Sequence, residues 1–187
     1  LDFSSDDSVN KFLDTVQKLK KIDVLINNAG VNKIESISNI SSKDWDWINT
    51  INLKGPFLLT RAVSETMKKQ NSGKIINVAS IFGVISKEKR AAYSSTKWGL
   101  IGFTKAAALD MACFNVQVNA VSPGFVDTEL TRKILGRKEI KSLTERIPQG
   151  RLAKPEEIAN VVLFLCSDLN TYITGENIVV DGGFTSA

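Results

Sequence analysis

The chain has 187 residues, 43% hydrophobic, 24% charged and 7% aromatic, enough for one domain with a sizeable core. Its formal net charge of +4 is scattered; the densest cluster, Lys18, Lys20 and Lys21, ends an amphipathic stretch, where cations suit a helix C-terminus and no nucleic-acid partner is expected. Histidine is absent, which removes Ser-His and Cys-His nucleophiles and the usual zinc sites, and no apolar run approaches the ~20 residues of a membrane span.

In chain order, Val9, Phe12, Leu13, Val16 and Leu19 mark a helical stripe with Ser5 or Asp6 as its cap. "DVLIN" (23–27) reads as the first strand and runs into Asn27-Asn28-Ala29-Gly30. Ser41 with Asp44 opens a helix through Trp45 and Ile48, and a long helix follows over 53–70. "KIINVAS" (74–80) is the second strand, residues 91–113 a second long helix, and "VQVNAVS" (116–122) the third strand. The polar, loosely periodic stretch from Phe125 to Gly150 carries Gly136 and Pro148 and reads as a mobile lid or as a surface helix pair. Pro155 suits the first position of the last helix, and "NIVVD" (177–181) is the last strand. Neighbouring apolar residues in the strands suit a parallel sheet covered on both faces, and the alternation of helix and strand is that of a doubly wound α/β fold, one domain over 1–187. Cys113 and Cys166 lie far apart in apolar contexts and read as buried thiols, pointing to a reducing cytoplasm.

Ligands of open α/β sheets bind beyond the carboxyl ends of the strands. Small and hydrogen-bonding residues gather there: Asn27 to Gly30, Ser80, and Ser122-Pro123-Gly124. "AAYSSTKWGL" (91–100) adds Tyr93 and Lys97 four apart, on one helix face with Cβ atoms roughly 6 Å apart. A free phenol titrates near ~10 and is a poor acid at neutral pH, whereas a nearby ammonium favours its ionised form. Tyr93 then becomes a usable proton carrier, and Ser80 a donor for a carbonyl oxygen. Alone, such a Tyr-Lys pair is common on helix surfaces.

"NNAG" (27–30), "INLKG" (51–55), "NVAS" (77–80), "YSSTK" (93–97), "NAVSPGFVDT" (119–128) and "ITGENIVVDGG" (173–183) together resemble the short-chain dehydrogenase/reductase family over essentially the whole chain, in its order and spacing. The likeness is to its 3-oxoacyl-[acyl-carrier-protein] reductase type and to the sugar and alcohol dehydrogenases similar to it. It implies hydride transfer between NAD or NADP and a carbonyl or secondary alcohol, on a small-molecule or acyl-carrier-linked substrate. It implies that Tyr93 is the general acid, that Ser80 positions the oxygen, and that Lys97 lowers the Tyr93 pKa and binds the nicotinamide ribose. Asn52 would hold a water linking Lys97 to solvent; four residues before Pro56, it also suits an interruption of the helix. The cofactor set implied is Asp2 and Phe3 at the adenine, Asn28, Ala29 and Gly30 near the adenosine ribose, Tyr93 and Lys97, and Pro123, Gly124, Val126 and Thr128 around the nicotinamide. A homotetramer built on helices 53–70 and 91–113 and on the last strand is expected.

The glycine-rich phosphate loop of that family, close to T-G-x-x-x-G-x-G, has no counterpart: the twelve glycines include no G-x-G. The first βαβαβ portion of the fold is therefore expected to be missing, with an apolar strand edge left at Val24 to Ile26. The sequence reads as the recorded part of a longer chain, with a truncated, non-catalytic fragment unable to hold cofactor as the alternative.

Overall fold

The computed structural model describes the backbone of all 187 residues and every side chain except those of Leu130, Ile134 and Arg137. Helix α1 (Asp6–Gln17) begins where the Ser5 hydroxyl accepts the Ser8 amide, and α2 (Ser42–Asn49) where Ser41 does the same for Asp44, so both capping expectations hold. Four strands, β1 (Val24–Asn27), β2 (Gly73–Val78), β3 (Val116–Pro123) and β4 (Asn177–Val180), form one all-parallel sheet in the order β1-β2-β3-β4. Each follows an apolar run of the sequence to within two residues.

Alternation along the strands divides the core between two faces. Ile75, Val116 and Val118 pack with Val63 and Met67 of α3 (Gly55–Gln70) and Ala107, Ala108 and Met111 of α4 (Ala91–Met111). Ile76 and Val121 point the other way, onto Leu165 of the last helix (Pro155–Cys166). Helices thus cover both sides, as a doubly wound sheet requires. At β1 the cover is incomplete: Val24 and Ile26, on the face that carries Ile76 in β2, are 39% and 47% exposed.

The stretch after β3 settles into two short helices, α5 (Glu129–Ile134) and α6 (Arg137–Thr144), followed by α7, the Pro155–Cys166 helix. Its ends are pinned to each other and to the turn after β4. Residues 125–127 pair with Ala153, and the Gln149 amide reaches the Gly182 carbonyl at 3.2 Å. Gly182 and Gly183 have φ of 66° and 88°, which only glycine adopts at ease, and Asp181 accepts the Gly183 and Thr185 amides to close the turn. The cysteines depart from expectation. Cys113 is exposed, because the chain leaves α4 through a surface turn at residues 112–114, and Cys166, at the end of the last helix, is only half-buried.

Candidate active site

The carboxyl ends of β1, β2 and β3 bring together three loops and the first turns of α4. Ser80 follows β2, and its hydroxyl caps a single 3₁₀ turn by accepting the Phe82 amide at 3.1 Å. Tyr93 and Lys97 stand on the first turns of α4, with Lys97 Nζ 5.6 Å from the centre of the Tyr93 ring. Burial pushes the Tyr93 phenol above its ordinary range, while a hydrogen bond with Ser80 and the Arg90 charge pull it part of the way back. The expected lowering by Lys97 is therefore not what this arrangement produces. The Lys97 ammonium is itself desolvated to a pKa of about 8, and burial is the cause.

Lys97 is 3% exposed and donates one hydrogen bond, to the Val78 carbonyl at 2.9 Å. Its other two protons have no acceptor among the described residues, an expensive state for a buried ammonium. The space in front of it is kept open by Gly30: a Cβ there would stand 3.5 Å from Lys97 Nζ and 3.7 Å from Asn52 Oδ1. A buried cation with donors to spare, facing a gap beside Asn28, Ala29 and Gly30 at the end of β1, fits the vicinal hydroxyls of a nicotinamide ribose.

Asn52 sits in a π-helical turn, Thr50–Lys54, just before α3, which is the irregularity expected near Pro56. Its side chain clamps Val31, accepting the amide at 2.8 Å and donating to the carbonyl at 2.9 Å, and donates to Thr96 Oγ1 at 3.2 Å. Thr96 in turn donates to the Tyr93 carbonyl at 2.8 Å. The Gly30 loop, Asn52 and the Tyr93 backbone are thus one hydrogen-bonded unit. Thr96 was not foreseen, because a threonine inside a helix usually bonds only its own preceding turn.

Other expected cofactor residues have structural tasks of their own. Thr128 Oγ1 caps α5 by accepting the Thr131 amide at 3.1 Å, and Val126 bridges to Ala153. Pro123 ends β3, and Gly124 lets it pass Asp181, where a Cβ would come within 2.7 Å of the Asp181 Cβ. Asp2 Oδ1 accepts the Ser4 amide at 2.8 Å, and the Phe3 ring packs over Gly55. Among the described residues no cluster of His, Cys, Asp and Glu could hold a metal ion.

Beside Ser80 and Tyr93 opens a cavity of about 740 Å³. One wall is made of Ile81, Phe82, the loop after them and residues of α5–α6. The other includes Phe184, which sequence reasoning missed. A chain of edge-on aromatic contacts crosses from Tyr93 to Phe82 and Phe125 at 6.3 Å each, then to Phe184 at 5.2 Å. The signal for Phe184 was present: "DGG" forces the turn that carries it back to the site.

A family model described as enoyl-(acyl carrier protein) reductase matches residues 1–185. The 3-oxoacyl-[acyl-carrier-protein] reductase FabG of Aquifex aeolicus (strain VF5) is 45% identical over 180 residues, 96% of this chain and 72% of that enzyme. The chain belongs to the short-chain dehydrogenase/reductase family. Cyclopentanol dehydrogenase of Comamonas testosteroni is 39% identical over 188 residues, 100% of this chain and 75% of that enzyme. The structure of a gluconate 5-dehydrogenase from Burkholderia cenocepacia J2315 in complex with NADP and tartrate superposes with a TM-score of 0.93 at 31% identity, covering 100% of this chain and 74% of that one. The family's members are NAD(P)-dependent oxidoreductases with a Rossmann-type sheet, and this chain is of that kind. Among the described residues no helix is long and apolar enough to cross a membrane.

Proposed function

We propose that this oxidoreductase reduces a carbonyl to a secondary alcohol, and runs the reverse reaction, with Tyr93, Ser80, Lys97 and Asn52 as its working residues. The observation that carries the reading is the pairing of Ser80 and Tyr93 at the floor of the cavity, backed by the buried Lys97. The nicotinamide, when bound, supplies the hydride to the carbonyl carbon. Ser80 donates to the carbonyl oxygen and holds it against the Tyr93 hydroxyl. Tyr93 gives its proton to that oxygen as charge develops there, which its high pKa favours over standing ionised. Lys97 offers its free donors to the nicotinamide ribose, and Asn52 holds the Gly30 loop and, through Thr96, the Tyr93 backbone. Asn28, Ala29 and Gly30 line the adenosine side and Pro123, Gly124, Val126 and Thr128 the nicotinamide side. Asp2 and Phe3 would meet the adenine, although the Asp2 carboxylate must share itself with Ser4.

The substrate is a 3-oxoacyl group or a small ketone or sugar of similar reach; relatives of both kinds support this range. The protein works as a homotetramer in the cytoplasm. Its exposed Phe57, Trp98 and Leu109 on α3 and α4 support the assembly.

The test is consumption of NADPH or NADH with acetoacetyl thioesters and with small cyclic ketones, for the wild type and for Tyr93→Phe. Loss of the proton donor is expected to cut kcat by about 10²–10⁴-fold, with cofactor affinity within a few-fold as read by quenching of tryptophan fluorescence. A Tyr93→Phe enzyme that keeps most of its kcat would refute the assignment.

A further inference from the structure

Arg90 is a cation that the proposed reaction does not use. It is the N-cap of α4, three residues before Tyr93, and lines the same cavity. Its guanidinium stacks on Phe82, with Cζ 5.5 Å from the ring centre. Among the described residues it forms no ion pair. Glu88, two residues away, has its Oε1 3.7 Å from Lys87 instead. Nη1 of Arg90 is shut off from solvent with no hydrogen-bond acceptor.

The backbone on both sides fixes this placement. Lys89 adopts φ of 61°, a left-handed conformation uncommon outside glycine, and its carbonyl accepts the Glu35 amide at 3.2 Å. The Arg90 carbonyl accepts the Ser94 amide at 2.7 Å, the first bond of α4. Burial draws the Arg90 pKa down, the charges of Tyr93 and Glu88 offset only part of that, and an anion arriving in the cavity would relieve the rest of the cost. The wall as a whole leans the same way. Lys87, Arg90 and Arg146 face it against Glu88 and Glu139, and Glu88 is turned to Lys87.

We infer that Arg90 selects the substrate by taking the carboxylate of a short oxo acid whose ketone oxygen lies against Ser80 and Tyr93. The inference rests on the oxidoreductase reading of this cavity and narrows it. Arg90 and Tyr93 line the same cavity and the Arg90 charge acts on the Tyr93 phenol, so an anion held by Arg90 lies within a short chain of the reacting carbon, as in a 2- or 3-oxo acid. A thioester of the same acyl group carries no charge at that point. The planar fork of arginine matches a carboxylate with two parallel hydrogen bonds, a fit that lysine lacks. The Phe82 ring beneath the guanidinium adds a cation–π attraction that helps hold it in the cavity.

The experiment compares acetoacetate with ethyl acetoacetate as substrates of the full-length protein, in the wild type, Arg90→Met and Arg90→Lys. A second readout needs no turnover: the affinity of malonate, an unreactive carboxylate probe, by calorimetry. The wild type is expected to favour the acid over the ester at least tenfold in kcat/KM. Arg90→Met is expected to lower that ratio at least tenfold, mainly through KM for the acid, and to abolish malonate binding; Arg90→Lys restores part of both. Equal losses on acid and ester would show that Arg90 acts on Tyr93 or on the fold, and would overturn the inference, as would a wild type that prefers the ester. Should no carbonyl be reduced while malonate binds in an Arg90-dependent way, the anion site stands and the oxidoreductase reading falls. If the ester is reduced and malonate does not bind, the inference fails and the reading survives. Should Arg90→Met not fold, Arg90→Lys and the wild-type preference still decide the matter.

Discussion

Lys97 carries a cost that the fold does not recover. Its ammonium is buried with one acceptor, and its pKa falls from 10.5 to about 8. Between those two values the unfolded chain binds a proton that the folded one does not. Stability from this residue therefore climbs as pH rises from about 8 to 10.5, and the whole penalty, roughly 3 kcal/mol for that shift, is present below 8. Tyr93 acts in the opposite sense at the alkaline end, because its folded pKa is raised and the unfolded phenol ionises first. Lys97→Met should therefore be more stable than the wild type at neutral pH by up to about 3 kcal/mol, and should lose the alkaline rise. Urea denaturation at a series of pH values measures both. A less stable Lys97→Met at neutral pH would mean that the bond to Val78 outweighs the burial.

At the scale of elements, the site depends on how closely the Ser80 turn lies on α4. Gly83 touches the helix backbone: a Cβ there would stand 2.9 Å from the Lys97 carbonyl oxygen and 2.6 Å from Ile101 Cδ1. The isoleucine tip can turn aside, but the carbonyl cannot. Gly83→Ala must lift the turn, and with it Ser80, away from Tyr93. A stability loss of about 1–3 kcal/mol and a kcat reduced roughly tenfold, as expected for a misplaced positioning group, are predicted from denaturation and steady-state rates. Unchanged kinetics would show that the Ser80–Tyr93 spacing is slack. The elements themselves were legible in sequence, since "DVLIN" and "NIVVD" can be little else than strands of a parallel sheet, though β1 and β4 are less covered than their apolar runs suggest, and Ser5 and Ser41 cap where their hydroxyls and positions require. The Tyr93–Lys97–Ser80–Asn52 grouping was legible too, through motif spacing. What escaped was set by tertiary approach. The desolvation of Lys97, the Thr96 link, and the arrival of Phe184 at the cavity depend on how distant loops converge, and local pattern does not encode that. The exposure of Cys113 escaped for the same reason, an apolar neighbourhood in sequence being no guarantee of burial.

For the molecule as a whole, the surface argues for association. Trp98, Gly102, Ala106 and Leu109 recur at helical spacing along the solvent side of α4, and Trp98 and Leu109 are 53% and 81% exposed. Phe57, on α3, is 43% exposed beside them, its ring edge-on to Phe103. Such a stripe is more than one chain's sheet can cover, and it suits packing against a second copy of α3 and α4. Gly102 tests this without touching the fold. A Cβ there meets nothing within 4 Å, so the isolated chain has room for a large side chain. Between two helices packed at ~8–10 Å there is none, and a buried guanidinium would lack a partner. Gly102→Arg is therefore expected to keep its secondary structure by circular dichroism while sedimenting as a species of half the wild-type mass or less. A wild type that already sediments as a folded monomer, or a Gly102→Arg variant that remains tetrameric, would remove α4 from the interface. Exchanging glycine for arginine in an exposed helix is itself favourable by roughly 0.5–1 kcal/mol, so a loss of association could not be blamed on a weakened helix.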